Sequence, residues 1–278
     1  MSYKDVLVHL DESERSLQRL DFAIDFARSF DAHLSALYVV QIPFLPFVAE
    51  AEASAQIIEA QLERARELKD KAKAEFDRRA ASAGISIEWR ETEGDAIDTT
   101  TMHVRHSDIA ILGQPNPDEG FSASPRNLPQ LVALSSGRPV LVLPYAGSYK
   151  SVGERVLVAW NASRESARAV NDALPILKRS KQVTVLAINP KRGTDGHGQV
   201  PSADISTHLA RHGVKAIAAQ TVAPDEDVGD VILSRAADEG ADLIVMGCYG
   251  HSRLHELVLG GASRDLFAHM TVPVLLAH

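Results

Sequence analysis

The strongest constraint on this chain is that it is written twice. Val6-Leu7-Val8-His9-Leu10-Asp11-Glu12-Ser13 returns as Val156-Leu157-Val158-Ala159-Trp160-Asn161-Ala162-Ser163. Asp108-Ile109-Ala110-Ile111-Leu112-Gly113 returns as Asp242-Leu243-Ile244-Val245-Met246-Gly247, and Pro139-Val140-Leu141-Val142 as Pro273-Val274-Leu275-Leu276. A repeat of this length duplicates a whole domain rather than a short solenoid unit. The copies differ in one place that matters for chemistry. After Gly247 the second reads Cys248-Tyr249-Gly250, then nine residues, then Gly260-Gly261-Ala262-Ser263; the first places Gln114, Pro115, Asn116 and Arg126 over that stretch.

Within each half, short β-branched apolar runs alternate with helical stretches, the pattern of an α/β fold with a parallel sheet. The expected strands of the first half are Asp5–Leu10, His33–Val40, Ile85–Thr92, Ile109–Leu112 and Val140–Leu143. Those of the second are Arg155–Trp160, Gln182–Ile188, Val214–Thr221, Leu243–Met246 and Val274–Leu276. Little polar alternation within them implies helices over both sheet faces. The expectation is two tandem doubly wound domains, residues 1–147 and 152–278, joined by the short glycine-containing Tyr145–Gly153. Ser13 and Ser163 read as helix N-caps just past the first strand of each half. Val48–Ala83 reads as a long amphipathic helix, Lys191–Gly198 as a flexible loop, and the apolar Ile42–Phe47 as packing between the halves.

Several classes fall away. A length of 278 residues is ample for two cores. No apolar run approaches the ~20 residues of a membrane span, and the chain opens without a signal-peptide pattern. The single cysteine rules out an internal disulfide framework and suits a reducing compartment, so a cytoplasmic location is expected. The net charge of −8 argues against nucleic acid as a partner. Most of it lies in residues 1–150, where 16 basic residues face 23 acidic ones.

The spacing Gly247-x2-Gly250-x9-Gly260 follows a buried strand and precedes a helix starting near Gly261 or Ala262. Glycines let backbone amides approach an anion with no Cβ in the way, and a helix N-terminus adds unpaired N–H donors. The same glycines also serve turns and close packing. His251 and His255 stand four apart, but without an HExxH pattern or a third ligand no metal site is expected. Arg253 is a candidate phosphate donor. Cys248 reads either as a thiol activated by a helix end and His251, or as a small side chain that the loop tolerates.

This loop resembles the nucleotide-binding signature of the universal stress protein family, Gly-x2-Gly-x9-Gly-Ser/Thr, followed by a helix and a terminal Pro-Val strand. Both halves also carry a version of the family's opening Val-Leu-Val-x-x-Asp-x-Ser and end in Pro-Val-Leu. The resemblance implies five parallel strands per domain in the order 3-2-1-4-5, with ligands in the crevice at the carboxyl ends of strands 1 and 4. It places Gly247, Gly250 and Gly260 along the phosphates, with Met246 and Ala187–Asn189 walling an adenine; read on its own chemistry, His251 belongs to a polar loop that faces water or edges those phosphates, beside the candidate donor Arg253. Asn161 stands where the family has Asp, and Gly261 where nucleotide-binding members have Ser or Thr; Ala262 and Ser263 follow at the helix start.

The implied cofactor is ATP, with or without magnesium, and the first half, with prolines in place of the loop, is expected to bind none. The expected activity is a stress response exerted through ligand-biased conformation or an unknown protein partner. No catalytic residue is expected, and at most slow ATP hydrolysis. Family domains pair through their last strands, so Val140–Leu143 and Val274–Leu276 are expected to pair within the chain, with a homodimer as a further step. The alternative is an interaction module of the same fold that binds no nucleotide.

Overall fold

The computed structural model describes residues 2–13, 15–41, 51–116, 118, 124–190, 202–248 and 266–278, with 51–58 as backbone alone. The chain divides into two compact units, Tyr3–Val132 and Ala133–His278 with Met1–Ser2. The apolar run Ile42–Phe47, the start of the long helix at Val48, and the loop Lys191–Gly198 lie outside the described residues.

The unit Tyr3–Val132 runs β1 (Asp5–Leu10), α1 (Ser16–Phe30), β2 (His33–Val40), α2 (Ala51–Ala83), β3 (Ile87–Glu93), α3 (Ala96–Val104) and β4 (Ile109–Gly113). Its strands lie in the order β3-β2-β1-β4, all parallel. Val6, Leu7 and Val8 face Ile109, Ala110 and Ile111 in register, and none is more than 1% exposed. Such strands must be covered on both faces, as their unalternating sequences require. On α1, Phe22, Phe26 and Phe30 recur every four residues and pack ring against ring, with Tyr3 closing on Phe30 at a ring separation of 5.0 Å.

From α4 (Leu128–Ser136) the chain enters the unit Ala133–His278. Its elements are β5 (Val140–Leu143), β6 (Arg155–Ala159), α5 (Arg164–Leu177), β7 (Gln182–Ile188), α6 (Ala203–Arg211), β8 (Ala216–Thr221), α7 (Val228–Asp238), β9 (Leu243–Gly247) and β10 (Val274–Ala277). Strands lie in the order β5-β10-β9-β6-β7-β8. The five from the second repeat are parallel, and β5 runs antiparallel to β10, with Leu141 opposite Leu275. The last strands of the two repeats therefore pair within one chain.

Two acidic residues explain why the duplication keeps them. The Asp108 carboxylate accepts the amides of Lys4 (2.6 Å) and Asp5 (3.1 Å) at the start of β1. Asp242 accepts those of Glu154 (3.0 Å) and Arg155 (2.9 Å) at the start of β6. Each carboxylate ties the strand-4 side of its repeat to the first strand. A second matched pair caps helices: Asp95 accepts from Ile97 and Asp98 ahead of α3, and Asp227 from Gly229 ahead of α7.

Element bounds depart from expectation by a residue or two. β8 starts at Ala216 rather than Val214 because Val214 still belongs to the end of α6. Its amide returns to the Leu209 carbonyl, and that of Gly213 (φ 82°) to Ala210, which closes the helix in a Schellman arrangement. β3 begins at Ile87, not Ile85, and β6 ends at Ala159, not Trp160. The joint between repeats turns at Gly147 and Gly153, both at positive φ, and the Tyr149 hydroxyl ties it to the Thr271 carbonyl at 2.8 Å. Among the described residues no helix is long and apolar enough to cross a membrane.

Candidate functional site

In a sheet of this topology the first and fourth strands send their connections to opposite faces, leaving a crevice at their carboxyl ends. The two repeats fill that crevice differently.

In the first repeat it holds charge supplied by the chain itself. Arg19, on α1, places Nη2 2.9 Å from the Asp11 carboxylate, and its Nε donates to the His9 carbonyl at 2.7 Å. His9 and Arg19 are 3% and 4% exposed. Burial holds the His9 imidazole down at about 4; Asp11 pulls the other way and Arg19 adds to the depression. Burial pushes Asp11 upward, but Arg19, His9 and two hydrogen bonds from Ser13 outweigh it and leave the carboxyl at about 2. Burial and then the charge on Asp11 raise Glu12, and burial with Glu12 and Asp11 raises the Tyr38 phenol. A Cβ on Gly113 would overlap Nη1 of Arg19, so the guanidinium occupies the space beside the end of β4.

Ser13 does not cap α1, contrary to the sequence expectation. Its hydroxyl donates to the Asp11 carboxylate instead, and α1 opens at Arg15 without a side-chain cap. Ser163 does cap α5, accepting the Ser166 amide at 3.1 Å. The difference follows from position 161. Asn161 uses Oδ1 to accept the Ser163 amide at 3.1 Å and leaves the hydroxyl free to turn toward the helix. Between them Ala162 sits at φ 57°, a left-handed conformation that costs a non-glycine residue of order 1 kcal/mol.

In the second repeat the crevice is lined by packed backbone. A Cβ on Gly247 would lie 2.5 Å from Glu165 C and Ser166 N, so the first turn of α5 rests directly on this glycine. Close packing thus accounts for Gly247 on that side. Glu165, buried in the same turn, is a residue that sequence reasoning misses. Burial would raise its carboxyl, but its own amide, Ser163 and Arg164 (Nε 3.0 Å away) outweigh that and lower it. Its signal is weak, since acidic residues are common in first helical turns.

Met246 lies beside Ala159 in register, and Ala187 is on the adjoining β7. Met246 is 6% exposed and Ala187 wholly buried. Asn189, at φ 48°, locks its amide between the N–H and carbonyl of Ala223 at 2.8 and 2.9 Å. Half-buried Trp160, just past β6 at the strand-end crevice where the sequence places it with Asn161, donates its amide to the Leu186 carbonyl. Asn161, Ala187, Met246 and Gly247 therefore gather at one end of the sheet. Gly250, His251, Arg253, Gly260, Gly261, Ala262 and Ser263 lie outside the described residues.

Cys248 is not an activated thiol. It is 1% exposed, its amide donates to Ala277 at 2.9 Å, and burial pushes its thiol up to about 12. Of the two readings, the small side chain rather than the activated thiol fits, because the residue is still held along β10. Among the described residues no group of three His, Cys, Asp or Glu side chains is placed to hold a metal.

A duplicated, doubly wound parallel α/β domain with a crevice at the strand ends is the class of protein that this geometry defines. The sequence pattern of the universal stress protein family matches residues 2–112 and 153–278, and the chain belongs to that family as a tandem member. Among solved structures it is similar to a universal stress protein from Archaeoglobus fulgidus DSM 4304. That match has a TM-score of 0.72 at 19% identity and covers 98% of this chain and 95% of that one. A putative universal stress protein from Pseudomonas aeruginosa UCBPP-PA14 matches with a TM-score of 0.56 at 15% identity, over 99% and 93% of the two chains. No curated protein sequence matches the chain.

Proposed function

We propose that the second repeat binds an adenine nucleotide, ATP in the first instance, and that its occupancy biases a conformation or a partner interaction in a stress response. The observation that carries this reading is the asymmetry of the two crevices. In the first, Arg19 already occupies the space beside Gly113 and neutralises Asp11. In the second no such guanidinium stands against Gly247 among the described residues, and the chain continues into Gly250 and Gly260 at the family's spacing. Asn161, Ala187, Met246 and Gly247 would form the strand-end side of the site, and Gly250, His251, Arg253, Gly260, Gly261, Ala262 and Ser263 its loop side. The nucleotide is expected with or without magnesium, and any hydrolysis would be slow; the chain is not proposed to be an enzyme.

One observation favours the other reading, an interaction module without nucleotide. The Glu165 carboxylate and the Ser163 cap already serve the first turn of α5, and the negative charge of Glu165, felt by the neighbouring Cys248 thiol, disfavours a phosphate at this strand end. Mass spectrometry of small molecules released from purified protein separates the two, with a Gly250→Asp variant and ATP calorimetry alongside. Near one ATP or ADP per chain, lost in the variant, supports the nucleotide site. An empty extract with no heat of ATP binding leaves the interaction module.

A further inference from the structure

Among the described residues, the second unit ends at a sheet edge that no other strand pairs. β8 hydrogen-bonds to β7 on one side, and among the described residues no strand pairs with the other. The amides of Val183 and Asn189 reach the carbonyls of Lys215 and Thr221, so odd-numbered residues of β8 face β7. Backbone alternation then turns the N–H and C=O groups of Ala216, Ala218 and Gln220 outward. Proteins usually blunt such an edge with charge, proline or cover. β3, the corresponding edge of the first repeat, does so: Glu88, Arg90, Glu91 and Glu93 lie along it, with Glu88 paired to Arg90 and His33 and Glu91 to Lys69.

Among the described residues the β8 edge has none of this. Ala216-Ile217-Ala218-Ala219-Gln220-Thr221-Val222-Ala223 contains no charge and no proline. Every residue of β8 is partly or fully exposed, with Ile217 57% and Val222 just beyond it 76% open to solvent. Charge is confined to the two ends and differs in sign, with Lys215 before the run and Asp225 and Glu226 after it.

We infer that this edge is a dimerisation surface whose occupant is β8 of a second copy, added antiparallel about a two-fold axis at Gln220. In that register Ala218 lies opposite Val222, and Gln220 lies opposite itself. The outward-facing backbone groups then meet in the alternating pairs of an antiparallel ladder. Lys215 of each copy falls at the acidic Asp225–Glu226 end of the other, whereas parallel pairing would bring like charges together at both ends. Ile217 and Val222 gain cross-strand neighbours instead of water. Pairing of this kind is isologous: each copy uses the same edge, so two chains close the assembly and no filament grows. Pro224, which lacks an amide proton, stops the ladder after Val222.

The test uses the full chain, with mass measured by light scattering across a concentration series and folding checked by circular dichroism. Wild type is expected to dimerise. Gln220→Lys sets two like charges face to face on the axis and is expected to weaken the dimer at least about tenfold, as is Gln220→Glu. Because the two variants complement each other, an equimolar mixture is expected to recover a heterodimer, which shows that neither substitution acted by unfolding. A wild-type chain that stays monomeric overturns the inference. So does a dimer that both variants leave unchanged, or a loss that mixing does not restore.

Discussion

Acid should weaken the first unit of this protein in a window set by one buried histidine. In the folded chain His9 takes up a proton only near pH 4, because protonation there means burying a charge; unfolded, the ring titrates at its ordinary 6.5. Above 6.5 neither state is protonated and the neutral ring imposes no penalty. As the pH falls from 6.5 toward 4 the unfolded state binds a proton that the folded state cannot, and stability is lost; below 4 both states are protonated. Those two values predict a loss of about 2 kcal/mol between about pH 7 and pH 5. Asp11 acts in the same sense at lower pH. Its stabilising contribution is complete above its ordinary 3.8 and disappears as the pH falls through about 2.

The chain has two tryptophans, Trp89 in the first unit and Trp160 in the second. A Trp160→Phe background thus makes fluorescence report on the first unit during urea unfolding at pH 7, 6 and 5. His9→Asn in that background removes the titrating ring. The expected result is a loss of stability on acidification that is steeper in the chain retaining His9 than in the His9→Asn variant, by about 2 kcal/mol over the range. Other histidines, including His103, which burial, Arg90 and His106 also lower, are common to both chains and cancel. Parallel pH profiles would refute the reasoning, as would a His9 ring that titrates near its ordinary 6.5 by NMR in the folded protein.

Two further outcomes follow from the packing. Gly247→Ala meets backbone atoms of Glu165 and Ser166 at 2.5 Å and should cost about 1–3 kcal/mol in urea unfolding, whereas Gly113→Ala should become mild once Arg19→Met removes the side chain in its way. Cys248 should resist thiol reagents at pH 8 in native protein and react on denaturation; rapid native labelling would contradict its burial.

Most of the architecture is legible because the duplication can be read against itself. Each apolar run has a counterpart, and strands buried on both faces have few other ways to fold. Loops and caps are less legible, since they depend on which acceptor wins a given hydrogen. Ser13 and Ser163 occupy matching positions, yet Asp11 captures one hydroxyl while Asn161 leaves the other free to cap. Asp95 and Asp227 escape a comparison of repeats because they lie outside the blocks that match. Glu165 hides among ordinary first-turn acids, and only the close approach of α5 to Gly247 sets it at the crevice. For Cys248 the sequence leaves two readings open, because its neighbours in sequence belong to a glycine loop, while its neighbour in space is β10.

The antiparallel contact of β5 with β10 bears on how the chain can be divided. Cutting at the joint between repeats, near Val152, would yield a fragment that retains every strand of the second repeat but lacks its cover. Val274, Leu275 and Leu276 would then present an apolar edge that the intact chain never shows to solvent. Such a fragment would be sticky for a reason unrelated to its own fold, and two of them would find in each other the strand that had been cut away. A fragment begun at Ala133 carries its own lid.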